Sequence, residues 1–296
     1  MKERLQLLTV VAEEESTRDL IRFAGIVVLG FEADITFLAV SPRSRQEFSV
    51  TTEIAKEILS DWGITTPATA RLAAVEEWLV RYRMVQCDRE DRAISSPFRV
   101  DEGGVREKEL RGVDGQAFRL RLRQGDLAEE VVMETREHDY GMIFLGVPEH
   151  WRKMAHVLQF SGPPTMVVRR WTSQEYRFLV CLDGSPAARR ALNLVARIAL
   201  VMVAPLDLIA LPEKGYPETE ARAELERAAR HLRRAAVPHR TRLEEGNFEE
   251  RILAMADEST IVVLGTSSRG QMWQLILGAK PYRIARRARG PVLIVK

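Results

Sequence analysis

The sequence predicts an α/β protein made of two doubly wound parallel-sheet domains in tandem. Short apolar segments alternate with segments of helical periodicity, and the whole pattern occurs twice along the chain. Strands that alternate with helices require crossover connections, which produce a parallel sheet with helices on both faces. The apolar segments are nearly continuous, as in Val292–Val295, which is typical of strands that are buried on both faces.

Length and composition agree with this fold class. The chain has 296 residues, of which 46% are hydrophobic and 29% charged, and its formal net charge is +2. These values favour two globular domains and argue against disorder. A charge so close to zero also means that no nucleic-acid partner is expected. The two cysteines, Cys87 and Cys181, match no zinc or redox spacing, so we expect a reducing compartment and no metal site.

The longest apolar segments are too short to cross a membrane. Phe23–Phe31 and Ile198–Leu206 are about half of the roughly 20 residues that a spanning helix needs. Met1–Arg4 contains an acid and is not followed by the apolar segment of a secretory signal. We therefore expect a cytoplasmic protein without a membrane partner.

The first repeated unit consists of a strand, a helix and a second strand. When Leu8 is aligned with Leu179, the two halves match without a gap as far as Val40 and Leu211. Each segment begins and ends with an apolar run and has helical periodicity between them. In the second copy, Ser185 and Pro186 are suited to the N-cap and the first position of the predicted helix.

The second repeated unit consists of a helix and the strands that follow it. Asp126 and Asn247 are predicted N-caps, each followed by acids that suit the first turn of a helix. Each helix leads into an apolar strand that ends in glycine, Met142–Gly146 and Ile261–Gly265. Both halves then close with a Gly-Pro pair and a last apolar strand, at Gly162-Pro163 and at Gly290-Pro291.

The repeat predicts domains at residues 1–170 and 171–296, joined by a linker at 169–175. The first domain contains an insertion around residues 42–115, because the segment from Val40 to Gly125 is more than twice as long as the equivalent segment from Leu211 to Gly246. We predict helices in this insertion near Val50–Trp62 and Ala68–Val85, followed by a loop or hairpin over Gln86–Gly115.

Two segments of the C-terminal half follow strands and are therefore placed where open α/β sheets bind ligands. In the first, Asp183–Pro186 is explained by itself as a strand-to-helix turn. The functional alternative is that Asp183 accepts a hydrogen bond from a ribose hydroxyl or an adenine amine. The second is the glycine-containing segment Gly265–Lys280. Glycines allow a close approach of the backbone to phosphate, and the next helix offers free amides. Arg269 and Lys280 would add positive charge, but the glycine spacing alone is not specific.

These segments, together with the closing strand after Gly290-Pro291, resemble the universal stress protein family. The resemblance covers nearly all of residues 176–296 and, more faintly, residues 5–168 without the insertion. It implies an adenine nucleotide α-hydrolase-like fold with five parallel strands in each domain. It also implies association through the last strand and, in some members, ATP binding.

The family's binding pattern is glycine, two residues, glycine, nine residues, glycine, and then serine or threonine. Gly265 and Gly278 fit this pattern, whereas Ser268 replaces the middle glycine and Ala279 replaces the hydroxyl residue. The resemblance places Asp183 and the backbone near Leu211 at the adenosine. The residues that it places around the phosphates are Gly265, Ser268, Arg269, Gly278, Ala279 and Lys280. ATP or another adenine nucleotide is the expected ligand, with Mg²⁺ only when nucleotide is bound.

The N-terminal half is a poorer candidate for the same ligand. Ala12–Glu14 stands where the repeat has Asp183–Ser185, and the two glutamates would repel phosphate. The segment from Gly146 to the Gly-Pro pair is also much shorter in this half than the equivalent segment from Gly265 to Gly290. We therefore expect this degenerate half to be structural or to contact a partner.

The sequence thus predicts a stress-response regulatory protein with an adenine-nucleotide site in its C-terminal half. The alternative is a dimeric scaffold that binds no nucleotide and acts through protein contacts. No activated nucleophile or acid–base pair is recognisable, so no catalytic residue is assigned, and at most a weak ATPase is expected. The expected partners are a second copy of the chain, or the two domains paired within one chain, and an unidentified protein.

Overall fold

The structure is a computed structural model. It describes residues 4–12, 14–42, 66–97, 99–101, 103–146, 151–169, 175–213, 215–266 and 280–296. In these segments, twelve strands form one continuous sheet and eight helices cover it. Among the described helices, none combines the length and the apolar character that crossing a bilayer requires.

The N-terminal half contains seven strands and four helices in the described residues. The strands are β1 (Gln6–Val10), β2 (Asp34–Ser41), β3 (Arg99–Val100), β4 (Arg106–Arg111), β5 (Ala117–Gln124), β6 (Met142–Gly146) and β7 (Thr165–Val168). The helices are α1 (Glu14–Phe31), α2 (Pro67–Arg81), α3 (Leu127–Glu137) and α4 (Trp151–Phe160).

The C-terminal half contains five strands and four helices in the described residues. The strands are β8 (Arg177–Leu182), β9 (Leu206–Ala210), β10 (His239–Leu243), β11 (Thr260–Gly265) and β12 (Val292–Val295). The helices are α5 (Pro186–Met202), α6 (Glu218–Arg234), α7 (Phe248–Met255) and α8 (Lys280–Arg287).

Both halves have the same strand order. Five parallel strands follow the order β5-β2-β1-β6-β7 in the first half and β10-β9-β8-β11-β12 in the second. Helices α1, α2, α5 and α6 cover one face, and α3, α4, α7 and α8 cover the other, each over an apolar core that extends through both halves. The predicted fold class, two doubly wound α/β domains in tandem, is confirmed.

Strand pairing in the two halves agrees with the predicted repeat. Leu7 pairs with Ile35 and with Met142. Phe178, which the alignment of the two halves places on Leu7, pairs with the equivalent Leu206 and Ile261.

The Gly-Pro pairs that close the two halves are offset by one residue relative to the strand that follows each of them. The amide of Ile143 donates to the carbonyl of Pro164, whereas the amide of Val262 donates to that of Pro291. Pro164, and not Pro163, therefore occupies the position of Pro291, because the first half has one additional residue before its last strand.

The predicted helix starts are confirmed by their capping hydrogen bonds. The side chain of Asp126 accepts from the amide of Ala128 at 2.9 Å. Asn247 caps α7 in the same way, and Ser185 caps α5 with Pro186 in the first turn. These short polar side chains satisfy amides that have no partner within their helices.

The insertion adds a helix and a hairpin to the edge of the first half. The helix predicted over Ala68–Val85 is α2, which ends at Arg81, and Arg83 then adopts a left-handed conformation with φ of 54°. Within Gln86–Gly115, β4 pairs antiparallel with β3 and with β5, so the hairpin prediction is confirmed. The helix predicted near Val50–Trp62 lies outside the described residues.

The two halves are joined by antiparallel pairing of β7 with β12, in which Met166 lies opposite Leu293. The expected association through the last strand therefore occurs within one chain. Arg169, directly after β7, donates from Nη2 to the carbonyls of Ala285 and Arg286, both at 2.9 Å. This guanidinium therefore caps the last turn of α8.

Lys296 makes the reciprocal contact at the other side of the junction. It directly follows β12, and its Nζ donates to the carbonyl of Gln159, at 3.0 Å, and to that of Ser161. The two halves therefore cap each other's last helix around an internal two-fold axis.

Candidate functional site

The strand order of the C-terminal half reverses at β8, which has β9 on one side and β11 on the other. Leu182 pairs with Ala210, and Cys181 pairs with Leu264, so the carboxyl ends of the three strands are level. Three predicted site residues, Asp183, Leu211 and Gly265, are therefore brought together at one edge of the sheet. A reversal of strand order is where open α/β sheets bind ligands.

Asp183 is half-buried and is held by the turn that it begins. One of its carboxylate oxygens accepts from the amide of Ser185 at 2.9 Å. Gly184 between them has φ of 72°, in the left-handed region that glycine adopts without strain. Since Ser185 caps α5, the carboxylate is fixed between the end of β8 and the first turn of that helix.

Gly265 is required by packing alone. A side chain at this position would place its Cβ 2.3 Å from the amide nitrogen of Ala188 and 2.7 Å from the carbonyl carbon of Ala187. These backbone atoms cannot yield as a flexible side chain would. The absence of a side chain therefore allows the end of β11 to lie against the start of α5, next to Asp183.

Leu211 and Cys181 face the apolar core. Each is only 5% exposed, so a ligand could meet Leu211 only through its backbone. Burial raises the pKa of the Cys181 thiol. This thiol therefore stays protonated and is not an activated nucleophile.

Lys280 is paired with an acid that the sequence reasoning missed. Its ammonium lies 2.5 Å from a carboxylate oxygen of Glu213 and 5.5 Å from the ring centre of Phe248. The charge predicted to meet phosphate is therefore balanced by Glu213, two positions beyond Leu211. The position of Glu213 shortly after β9 could have indicated this ion pair, because the segments after β8, β9 and β11 meet at the same edge of the sheet. Four predicted phosphate-side residues lie outside the described residues: Ser268, Arg269, Gly278 and Ala279.

In the described part of the N-terminal half, the same edge of the sheet is lined mostly by apolar side chains. Only four residues separate Gly146 from the start of α4. One cavity at this edge has a volume of about 30 Å³ and is lined by residues that include Leu127, Lys153, Met154 and Val157. It is about the size of one water molecule. That this half is the poorer candidate for nucleotide binding stays a prediction.

The N-terminal half also contains a buried ionic network that the sequence reasoning missed. Glu134 on α3 is fully buried. It accepts from Arg121 at 2.6 Å, from Arg123 at 2.8 Å and from the hydroxyl of Tyr140 at 2.6 Å. Phe118 to Arg123 alternates apolar and basic residues, and this alternation was the available signal: the apolar side chains face α1 and α2, and Arg121 and Arg123 face α3.

This network is structural and does not form a metal centre. Glu134, Glu137 and His138 offer ligand atoms within 4.8 Å of one another. Arg123 donates to both carboxylates, however, and its hydrogen bond to Glu137 lowers the pKa of that acid. Burial raises the pKa of Tyr140, which keeps its hydroxyl as a donor to Glu134.

Comparison with known proteins separates the two halves of the chain. No curated protein sequence matches this chain. Residues 176–296 match the model described as the universal stress protein family. The C-terminal half is a universal stress protein domain. The match begins next to β8 and ends with the chain, so it includes the whole edge formed by Asp183, Leu211 and Gly265.

Solved structures resemble the chain over almost its full length. A universal stress protein from Archaeoglobus fulgidus DSM 4304 is 18% identical and has a TM-score of 0.61, covering 98% of this chain and 96% of that one. A putative universal stress protein from Pseudomonas aeruginosa UCBPP-PA14 is 14% identical, with a TM-score of 0.58 and coverages of 98% and 92%.

The cytoplasmic domain of a prokaryotic cation chloride cotransporter is also similar. It is 9% identical and has a TM-score of 0.56, covering 99% of this chain and 95% of that one. At these identities the likeness is one of fold. The N-terminal half therefore shares the fold of the universal stress protein domain, whereas the sequence match is confined to the C-terminal half.

Proposed function

We propose that the chain is a universal-stress-type regulatory protein that binds one adenine nucleotide, in its C-terminal half. The observation that carries this proposal is the meeting of Asp183, Leu211 and Gly265 at the reversal of strand order, inside the domain that matches the family. Binding there would report the energy status of the cell to a protein partner. The protein would act by binding, with ATP hydrolysis at most slow.

The proposed contacts with the adenosine end of the ligand have more support than those with its phosphates. The Asp183 carboxylate is fixed by one hydrogen bond, from the amide of Ser185, and a carboxylate can accept from a ribose hydroxyl or from the adenine amine. The neighbouring backbone at Leu211 supplies further polar groups at a position where its side chain is buried. Residues of this chain thus offer hydrogen-bond acceptors and backbone amides to the adenosine. Mg²⁺ would bind only together with the nucleotide.

Binding at the phosphate end is expected to be weak. Ala279 lacks the hydroxyl that the family pattern has there, and a hydrogen bond to a charged group contributes about 1.5–3 kcal/mol. The loss corresponds to roughly 10- to 100-fold in affinity. Lys280 must also leave Glu213 before it can meet phosphate. Most of the remaining contacts with phosphate would then come from backbone groups and one guanidinium, supplied by Gly265, Ser268, Arg269 and Gly278.

Calorimetric titration and thermal unfolding with ATP and with AMP test the proposal. We expect saturable binding and an increase in melting temperature that follows ligand concentration. Asp183→Ala should weaken binding at least about 10-fold, equivalent to one lost hydrogen bond to the ligand. Asp139→Ala, an exposed acid in the other half, is the control and should leave binding unchanged. Absence of binding at millimolar nucleotide would refute the proposal.

The alternative, a scaffold that binds no nucleotide, is favoured by the Lys280–Glu213 ion pair and by the residues Ser268 and Ala279. It predicts that Gly278→Leu changes neither nucleotide titrations nor partner binding. Deletion of residues 42–115 would not test it cleanly, because Val75 and Leu79 of the insertion are fully buried in the core. Substitution of the half-buried Trp78 probes the insertion with less disturbance of the core. The ring of Trp78 stacks on that of Tyr82, with ring centres 5.4 Å apart.

A further inference from the structure

Strand β10 lies at one end of the sheet, and its outer edge is open. The amide of Glu244, directly after β10, donates to the carbonyl of Ala210 on β9. Successive residues of a strand turn their backbone groups to opposite sides, so the amides and carbonyls of His239, Thr241 and Leu243 point away from β9. In the part of the chain that the structure describes, no strand pairs with them. Backbone groups of this kind are a template for a further strand.

The equivalent edge of the first half is already covered by such a strand. Phe118 of β5 pairs with Ile35, and His239 of β10 pairs with Leu206. Ile35 and Leu206 are equivalent in the repeat, so β10 corresponds to β5 residue by residue. On β5 the outer edge is occupied by β4, Arg106–Arg111, which pairs with it antiparallel. The first half therefore shows what kind of strand this edge accepts.

Two ion pairs join β4 to β5. Arg119 lies opposite Glu109, and its Nε is 3.2 Å from a carboxylate oxygen of that residue. Arg121 lies opposite Glu107, with 2.8 Å between Nε and a carboxylate oxygen. Opposite charges on directly opposed residues stabilise the pairing of two strands. Two acids separated by one residue on β4 thus match two arginines separated by one residue on β5.

Strand β10 has both arginines without the acids. Arg240 and Arg242 are equivalent to the two paired arginines of β5. Both are exposed, and neither forms an ion pair with a residue that the structure describes, although Asp207 lies next to Arg240 on β9. A second copy of the chain, paired antiparallel through Thr241, would place Arg240 opposite Arg242. Like charges that face each other destabilise a strand pair, so this edge is unsuited to itself and suited to an acidic strand.

We propose that β10 binds an extended segment of another protein as an antiparallel strand, with acids at two alternate positions facing Arg240 and Arg242. The residue between those acids lies opposite Thr241 and exchanges two backbone hydrogen bonds with it. The next residue on the arginine face is Glu244, which pairs with Arg251, so a third acid in the partner would be unfavourable. This binding does not depend on a nucleotide.

Fluorescence anisotropy with a labelled synthetic peptide tests the proposal. The probe is Thr-Val-Glu-Val-Glu-Val-Thr, and the protein is added to about 200 μM. We expect saturable binding. The peptide Thr-Val-Val-Glu-Glu-Val-Thr has the same composition but turns one acid to the other face of the strand, so it should bind at least about 10-fold more weakly.

A pair of double variants tests the two arginines. Arg240→Glu with Arg242→Glu should weaken binding of the first peptide at least about 10-fold, because two attractions become repulsions. The matched control is Arg233→Glu with Arg234→Glu, which makes the same change of charge at exposed positions of α6. It should leave the affinity within about 2-fold. Equal losses in the two double variants would contradict the proposal.

Methylation of peptide amides separates strand addition from attraction between charges, and it uses the wild-type protein. A methyl group on the amide of the central valine, opposite Thr241, removes a donor that faces β10 and should weaken binding at least about 10-fold. On the first glutamate, whose amide points away from β10, it should have little effect. Equal effects of the two methyl groups would overturn the proposal. Absence of binding at about 200 μM protein, or equally tight binding of a short single-stranded DNA, would overturn it as well.

Discussion

The two halves of this chain share strand order and pairing but differ at both ends of their sheets. In the C-terminal half the carboxyl edge holds Asp183 beside Gly265, whereas in the described part of the N-terminal half that edge is lined mostly by apolar side chains. The two outer edges of the sheet differ as well. The first half covers β5 with β4, whereas β10 ends the sheet with Arg240 and Arg242 exposed.

The difference shows that the core and the edges of this fold vary independently. Buried apolar strands specify the sheet, and they are alike in both halves because the same face of each strand must be buried. The residues after the strands bear no such constraint, so one copy could lose its polar turn and its longer segment while its sheet was retained. Exposed charges on β10 oppose edge-to-edge association, and an added strand does so on the other side.

The largest difference between the halves should appear when the ionic network is broken. Glu134→Ala leaves Arg121 and Arg123 without their buried partner and should lower the free energy of unfolding by about 3–5 kcal/mol. The equivalent residue of the other half is the half-buried Met255, and Met255→Ala should cost much less. Chemical denaturation measures both. Equal losses would contradict the role given to the network.

An intermediate effect is expected at the close contact between β11 and α5. Gly265→Ala places a Cβ 2.3 Å from the backbone of Ala188 and should lower the free energy of unfolding by about 1–3 kcal/mol. The loss should occur without nucleotide, because packing alone requires this glycine. Gly162→Ala, where a Cβ meets nothing within 4 Å, should be nearly neutral. A neutral Gly265→Ala would mean that the contact is not as close as the structure has it.

The smallest effect is a pH dependence at the junction. Burial lowers the pKa of Lys296 to about 8, from 10.5. Between these values the unfolded chain binds more protons than the folded one, so the free energy of unfolding rises with pH. From pH 8 to 10.5 the melting temperature of the wild type should therefore increase by roughly 2–4 °C relative to Lys296→Met, which is the effect of about 1 kcal/mol once the shift is discounted for solvent screening. A constant difference between the two would show that the amine is not desolvated.

Most of the fold could be predicted from the sequence, because apolar periodicity and capping residues act locally. Asp126, Ser185 and Asn247 each cap the helix that they precede. The one-residue offset between the pairs Gly162-Pro163 and Gly290-Pro291 was not predicted, because a Gly-Pro pair marks a turn without fixing the register of the strand that follows it. Register depends on hydrogen bonds to a distant strand, here from Ile143 to Pro164.

The site was less predictable, because its contacts join distant parts of the chain. The resemblance supplied Asp183, Leu211 and Gly265, which the structure brings together. It did not supply Glu213, which neutralises Lys280 from a distant part of the sequence. Likewise, the sequence does not distinguish Glu134 from the other acids of its helix. Only the contacts with Arg121 and Arg123 on a neighbouring strand identify it as the buried partner.

The stoichiometry of ATP binding tests the central claim most directly. Calorimetric titration of the full-length chain should give one nucleotide per chain, lost with Asp183→Ala, because Ala12 stands in the N-terminal half where the C-terminal half has Asp183. Two nucleotides per chain would contradict the prediction that the N-terminal half is the poorer candidate. None would contradict the proposal that the C-terminal half has a nucleotide site.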